Sequence, residues 1–165
     1  MKMIKVKTAE LVGAQLDYAV AVADGRAGSD DDEEAVPGKM YWCSTSSPAE
    51  GLRPAQHMGP SQINPETGWH FGRYSPSTDW ALAGPIIDRE KIQFDPPSSP
   101  VHRSGGPPSG WGESGIWGAC TWQKGVTGKR AFAFDPSSPL TAAMRCFVKL
   151  KLGDEVEVPA LEGGQ

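Results

Sequence analysis

Apolar residues recur at helical spacing in two stretches of this chain and alternate in a few short ones. Toward the C-terminus, Leu140, Ala143, Met144, Phe147 and Val148 fall at i, i+3, i+4, i+7 and i+8, one stripe of a helix. Its ends are marked as well. Ser138 stands where a hydroxyl caps free amides, Pro139 takes the first helical position, and Gly153 follows the last turn. Near the N-terminus, Val12, Leu16, Ala19, Val20 and Ala23 form a second stripe. Thr8 is placed to cap that helix and Gly25 to follow its end, so the pattern predicts a helix over 9–24, with Gly13 weakening its first turns.

The remaining elements are short. Residues 3–6 alternate weakly and predict an edge strand. Residues 39–44 read as one strand, and the rest of 38–70 reads as ordered loop. Thr78 is placed to cap a short helical turn over 79–83. Gly84 and Pro85 then interrupt, with Pro85 as the first residue of a second helical piece reaching 91. A strand begins at 93–94. Residues 115–122 and 130–134 predict a hairpin turning over 125–129, and 155–158 a final strand stopped by Pro159. No repeated βαβ pattern occurs. The expected fold is therefore α+β: a small, mostly antiparallel sheet flanked by helices, in a loop-rich three-layer sandwich.

Composition narrows this further. The chain has 165 residues, enough for one domain with a genuine core. Only 38% of it is hydrophobic, and 20 glycines and 15 prolines make up about a fifth, so long loops are expected. They concentrate in two places that read as insertions into a single domain spanning 1–165. Residues 26–38 hold the acidic run Ser29-Asp30-Asp31-Asp32-Glu33-Glu34, which repels itself and has nothing apolar to bury. Residues 95–112 are punctuated by Pro and Gly almost throughout. Six tryptophans argue against disorder overall, because an indole needs burial or a partner. A net charge of −4 argues against strong nucleic-acid binding. No apolar run is long enough to span a bilayer, and MKMIKVKTAE has no signal-peptide core, so no membrane partner is expected. Three cysteines at irregular spacing suit a reducing cytoplasm.

Candidate chemistry concentrates at 74–80. Tyr74, Ser75, Ser77, Thr78, Asp79 and Trp80 place hydroxyls, a carboxylate and two aromatics within seven residues. One reading is local: Ser77 and Thr78 cap the following helix, with Asp79 in its first turn. The other is a ligand loop, where free amides and hydroxyls hold a polar group and the aromatics stack on a ring. Trp69 is either a loop plug or a stacking platform. Arg73 is a candidate for binding an anion. Arg145, close to the apolar stripe, is either paired with a carboxylate or carbonyls or turned toward an anion.

Metal and catalytic readings find little support. His57, His70 and His102, with Cys43 and Cys120, show no CxxC or HxxxH spacing, so no metal is expected. The segment Gly125-Val-Thr-Gly-Lys129 lacks the spacing and the following Ser or Thr of a phosphate loop. No catalytic constellation and no cofactor are expected.

The 14–21 segment AQLDYAVA, the 74–92 segment YSPSTDWALAGPIIDREKI, Trp117-Gly118-Ala119 and the 138–159 segment SPLTAAMRCFVKLKLGDEVEVP resemble the NinX-type accessory proteins of tailed bacteriophages. A looser likeness runs to the small phage domains with an alpha–beta–alpha sandwich. The resemblance implies a phage-encoded protein of the bacterial cytoplasm and the sandwich fold, and it supplies no catalytic residues. The leading expectation is a non-enzymatic binder of a small anionic or nucleotide-like molecule, with sequestration of a host defence signal as its role. The alternatives are an interaction module for a host protein, which would inhibit a host enzyme or assist phage recombination, and a nucleotide hydrolase using Asp79. Exposed edges on a small sheet would also suit a homo-oligomer.

Overall fold

The computed structural model describes residues 2–28, 40–43, 51–54, 74–97, 116–122 and 130–161. Among these residues, seven strands and three α-helices run in the order β1 (Met3–Lys7), α1 (Gly13–Ala23), β2 (Met40–Cys43), β3 (Gly51–Pro54), α2 (Trp80–Arg89), β4 (Gln93–Asp95), β5 (Trp117–Thr121), β6 (Ala131–Asp135), α3 (Pro139–Leu152) and β7 (Glu155–Pro159). The class is α+β, as the sequence predicts, and every strand pair is antiparallel. The strands form three small sheets: β1 with β7, β2 with β3, and β4-β5-β6.

Helix α3 lies at the centre. It starts and stops where the sequence marks it: the Ser138 hydroxyl accepts from the Thr141 amide at 3.1 Å, Pro139 is at the start, and Gly153 forms the cap. All five residues of its predicted stripe are buried, and so are Ala142, Arg145, Cys146 and Leu150. A helix buried on more than one side needs cover on more than one side. Strands β5 and β6 pack on it, and α1 and α2 pack against it as well. The core continues through Leu11, Leu16, Val20, Ile86, Ala119, Ala133 and Val158.

Arg145 binds two parts of the chain to this helix, the break before α1 and the end of β6. Its Nε donates to the Leu11 carbonyl at 2.8 Å and its Nη1 to the Phe134 carbonyl at 2.7 Å. Nη1 also pairs with Asp135 Oδ2 at 3.0 Å, both side chains being 8% exposed. The other Asp135 oxygen accepts from the Ser137 and Ser138 amides, at 2.9 and 2.7 Å, so the same carboxylate shapes the turn into α3.

Three predicted elements differ from the observed ones. The N-terminal helix starts at Gly13 rather than residue 9, after a 3-10 turn at Thr8–Glu10. Thr8 does not cap it, because it lies five residues before the helix start; its hydroxyl donates to the Gly153 carbonyl at 2.7 Å, 145 residues away. Gly13 has φ +50°, a left-handed value that breaks a helix passing through it. The second difference is α2, a single helix that carries Pro85 inside it. Proline removes the bond to the Ala81 carbonyl, but Ala81 and Pro85 both lie on the exposed side, where water can take its place. The third is β3, which pairs with β2 inside a stretch that the sequence reads as loop. The predicted insertion at 26–38 also begins in ordered structure, since the Gly28 amide donates to the Met40 carbonyl at 2.8 Å.

The end of α1 follows its prediction. Gly25 has φ +68°, its amide bonds the Val22 carbonyl, and the Arg26 amide reaches the Ala21 carbonyl at 2.7 Å. This is a Schellman turn. Helix α2 ends the same way with Lys91 in the left-handed position (φ 52°), where α1 uses glycine.

Replacing Arg145 with Met strips Asp135 of its buried partner. Breaking such a pair costs about 3–5 kcal/mol, so the urea midpoint of Arg145→Met is expected to fall steeply. Lys5→Ala, which breaks the exposed Lys5–Glu155 pair, is expected to leave the midpoint within error. Equal effects of the two substitutions would remove Arg145 from its central place.

Candidate functional site

The 74–80 segment leads into α2 and divides into a buried and an exposed half. Tyr74 is 4% exposed and Ser77 1% exposed. The Ser77 amide donates to Asp17 Oδ1 at 2.9 Å, which pins the segment to α1. Asp17 is itself buried. The turn tightens on the Ser75 carbonyl, which accepts from the Thr78 amide at 3.0 Å and the Asp79 amide at 2.9 Å. The Ser77 hydroxyl, in contrast, is buried with no hydrogen-bond partner among the described residues. A buried, unpaired hydroxyl is unfavourable, and such groups mark places where function competes with stability.

Thr78, Asp79 and Trp80 form the exposed half. Asp79 caps α2 with its own carboxylate, Oδ1 accepting from the Ala81 amide at 2.8 Å. The sequence assigned this cap to Thr78. The Thr78 hydroxyl bonds back to the Ser75 carbonyl at 3.3 Å instead. A carboxylate one residue further along meets the free amides better, and it complements the positive end of the helix. Trp80 opens the helix and is 56% exposed, resting one side on Phe94 with ring centroids 5.9 Å apart.

Five charged residues that sequence reasoning passed over, Asp24, Arg26, Arg89, Glu90 and Lys151, surround Tyr74 and the far end of α2. Asp24 accepts from Arg26 Nε at 2.6 Å and from Arg89 Nη2 at 2.5 Å. Arg89 also reaches Glu90 at 3.0 Å, and Lys151 pairs with the second Glu90 oxygen at 2.9 Å. The Asp24 and Glu90 side chains are 7% and 5% exposed, whereas the three cations are 36–49% exposed. The network joins the C-terminal ends of all three helices, and Arg89 and Lys151 both lie near the face of the Phe147 ring. Its residues are far apart in sequence and carry no motif. The one available signal was that Asp24, Arg89 and Lys151 each fall at a predicted helix end.

Burial pushes the Tyr74 phenol up to about 12, with Asp24 adding to the shift and Arg26 opposing it. Burial likewise raises the Cys146 thiol to about 12 and raises Cys120, so these two thiols stay protonated near neutral pH. Arg145, a candidate anion contact from the sequence, is 7% exposed, and its Nε and Nη1 are engaged with protein oxygens. Of the two environments the sequence allowed it, it occupies the paired one. Trp69, Arg73, His57, His70 and His102 lie outside the described residues. Among the described residues no group of three or more His, Cys, Asp or Glu side chains is placed to hold a metal ion, and no helix is long and apolar enough to cross a membrane.

The Tyr74 shift predicts a specific alkaline weakness. The unfolded phenol ionises near about 10 and the folded one near about 12. A raised folded value means the contribution is complete below pH ~10 and is lost as pH rises through ~12, about 2–3 kcal/mol in all. Tyr74→Phe is expected to flatten the stability curve over that window, measured by urea unfolding at stepped pH. An unchanged slope would contradict the burial of Tyr74.

The family described as Bacteriophage P22, NinX matches residues 7–151, which cover every helix except the last residue of α3. No curated protein matches the chain. The chain belongs to that NinX family.

Proposed function

We propose that this NinX-family chain is a phage accessory protein of the host cytoplasm that binds a small anionic, nucleotide-like molecule on its 74–80 segment without transforming it. The observation that carries the reading is the exposure of Trp80, 56% of an indole left in solvent at the first position of α2, beside the exposed Thr78 and Asp79. Most indoles are covered by their own protein. In the proposed complex a planar base stacks on Trp80, and ribose hydroxyls donate to the Asp79 carboxylate and exchange bonds with Thr78. Tyr74, Ser75 and Ser77 form the wall beneath. Trp69 and Arg73, the remaining candidates from the sequence, lie outside the described residues. Arg145 acts through the fold, since its donors are turned to Leu11, Phe134 and Asp135. Sequestration of a host signal is the role such a binder would serve in infection.

A second reading has one observation of its own. Phe134 on β6 is 38% exposed and Trp122, just past the end of β5, is 47% exposed, and Arg130 lies 3.7 Å over the Trp122 ring. Exposed aromatics with an arginine are typical of protein interfaces. If this face holds a host protein, Trp122→Asp is expected to abolish its capture from host lysate while Trp80→Ala leaves capture intact. The opposite pattern would count against the sheet face.

For the ligand reading, the expected outcome is a thermal shift with at least one member of a panel of linear and cyclic nucleotides at millimolar concentration. A ligand at 100 times its Kd adds about 2.7 kcal/mol of stability. Trp80→Ala is expected to weaken that ligand by about 1–3 kcal/mol, the range for base–aromatic stacking. A flat response across the panel, or a shift indifferent to Trp80→Ala, would overturn the proposal.

A further inference from the structure

The C-terminal end of α1 carries a guanidinium that is fixed on one side and open on the other. The Schellman turn at Gly25 folds the chain back over the helix end and fixes the Arg26 backbone, whose amide bonds the Ala21 carbonyl at 2.7 Å. From there Arg26 Nε donates to Asp24 Oδ2 at 2.6 Å. The Arg26 side chain is 44% exposed, and it has no further hydrogen-bond or ion-pair partner among the described residues. Its two terminal amines therefore carry N–H donors that no described acceptor fills.

The surroundings favour an anion there. Asp24 is almost wholly buried and holds Arg89 on its other oxygen at 2.5 Å, so one carboxylate orients two cations. With Glu90 and Lys151 the cluster contains three cations and two carboxylates, a net charge of +1 in a chain of −4. A guanidinium pinned through Nε presents its remaining edge as a planar fork, which matches two oxygens of a tetrahedral anion. Pinning also lowers the ordering cost of binding, because the side chain is already held.

We propose that Arg26, held by Asp24 and reinforced by the charge of Arg89, forms an oxyanion site that takes a phosphate-type group. The site is separate from the Trp80 face. It holds a free phosphate or the phosphate of a larger molecule by the same chemistry, and it stands whether or not a base stacks on Trp80.

The test is a side-chain 15N NMR titration of the whole protein with inorganic phosphate at pH 7.5, against sodium chloride at matched ionic strength. The expected result is a saturable shift of the Arg26 Nε signal with phosphate and none with chloride. Arg26→Ala is expected to weaken phosphate binding about tenfold or more, since a hydrogen bond to a charged group contributes about 1.5–3 kcal/mol. Arg26→Lys keeps the charge but loses the fork, so it is expected to bind more weakly than the parent chain. Because Arg26 is half exposed and makes one side-chain contact, both variants should keep the parent's backbone amide spectrum.

A shift reproduced by chloride, or phosphate binding unchanged in Arg26→Ala, would overturn the site. Repeating the titration in Trp80→Ala separates the two proposals: phosphate binding that persists there supports the Arg26 site independently of the base-stacking reading. Comparing adenosine with adenosine monophosphate in the parent chain then identifies the source. A gain confined to the monophosphate indicates a nucleotide phosphate, and equal binding of free phosphate indicates the anion alone.

Discussion

The buried guanidinium of Arg145 is the constraint on which the rest of the structure depends. A charge held at 7% exposure is stable only when its donors meet acceptors on all sides. Here the acceptors come from the break before α1 (Leu11) and from the last two residues of β6 (Phe134 and Asp135). Burial pulls the Arg145 guanidinium below its usual value, and the Asp135 carboxylate opposes that pull. Because Asp135 also receives the Ser137 and Ser138 amides, the ion pair and the cap of α3 form one unit. Helix α3 is thereby fixed in place, and β5, β6, α1 and α2 pack on it.

A second polar network closes the other end of the helices. Asp24, Arg89, Glu90 and Lys151 join the C-terminal ends of α1, α2 and α3, and the two cations cover the Phe147 ring. Acidic residues at helix C-termini face the negative end of the dipole, and these two are buried there, so the arginines and the lysine are needed to hold them. The 74–80 segment runs between these two ends. Its inner half is tied to α1 through Asp17, and its outer half is set by the start of α2. The exposure of Trp80 is thus imposed by a rigid frame rather than by a loose loop.

The parts of this arrangement that were legible in the sequence are those with local causes. Ser138, Pro139 and Gly153 bracket α3 by chemistry that acts within a few residues, and the hairpin of β5 and β6 follows from short apolar runs around a turn. The start of α1 was not legible, because the chain makes a separate 3-10 turn at Thr8–Glu10, anchored where the Thr8 hydroxyl donates to the distant Gly153 carbonyl, before the helix begins at Gly13. Pro85 reads as a break until the fold puts Ala81 on the exposed side. Strand β3 exists through its pairing with β2, and its four residues show no alternation. At the candidate site, the polar–aromatic cluster of 74–80 was visible as composition. Its division into buried Tyr74 and Ser77 against exposed Asp79 and Trp80 was not, since that division depends on Asp17, 60 residues away. The pairing of Arg26 with Arg89 across Asp24 was hidden for the same reason.

The central functional claim is that the chain carries a small molecule on its 74–80 face during infection. Native mass spectrometry of the protein purified directly from infected cells addresses it most directly. The account predicts a retained non-peptide mass of nucleotide size that is lost from Trp80→Ala purified in the same way. A bare chain, or one that carries a host polypeptide instead, would contradict it.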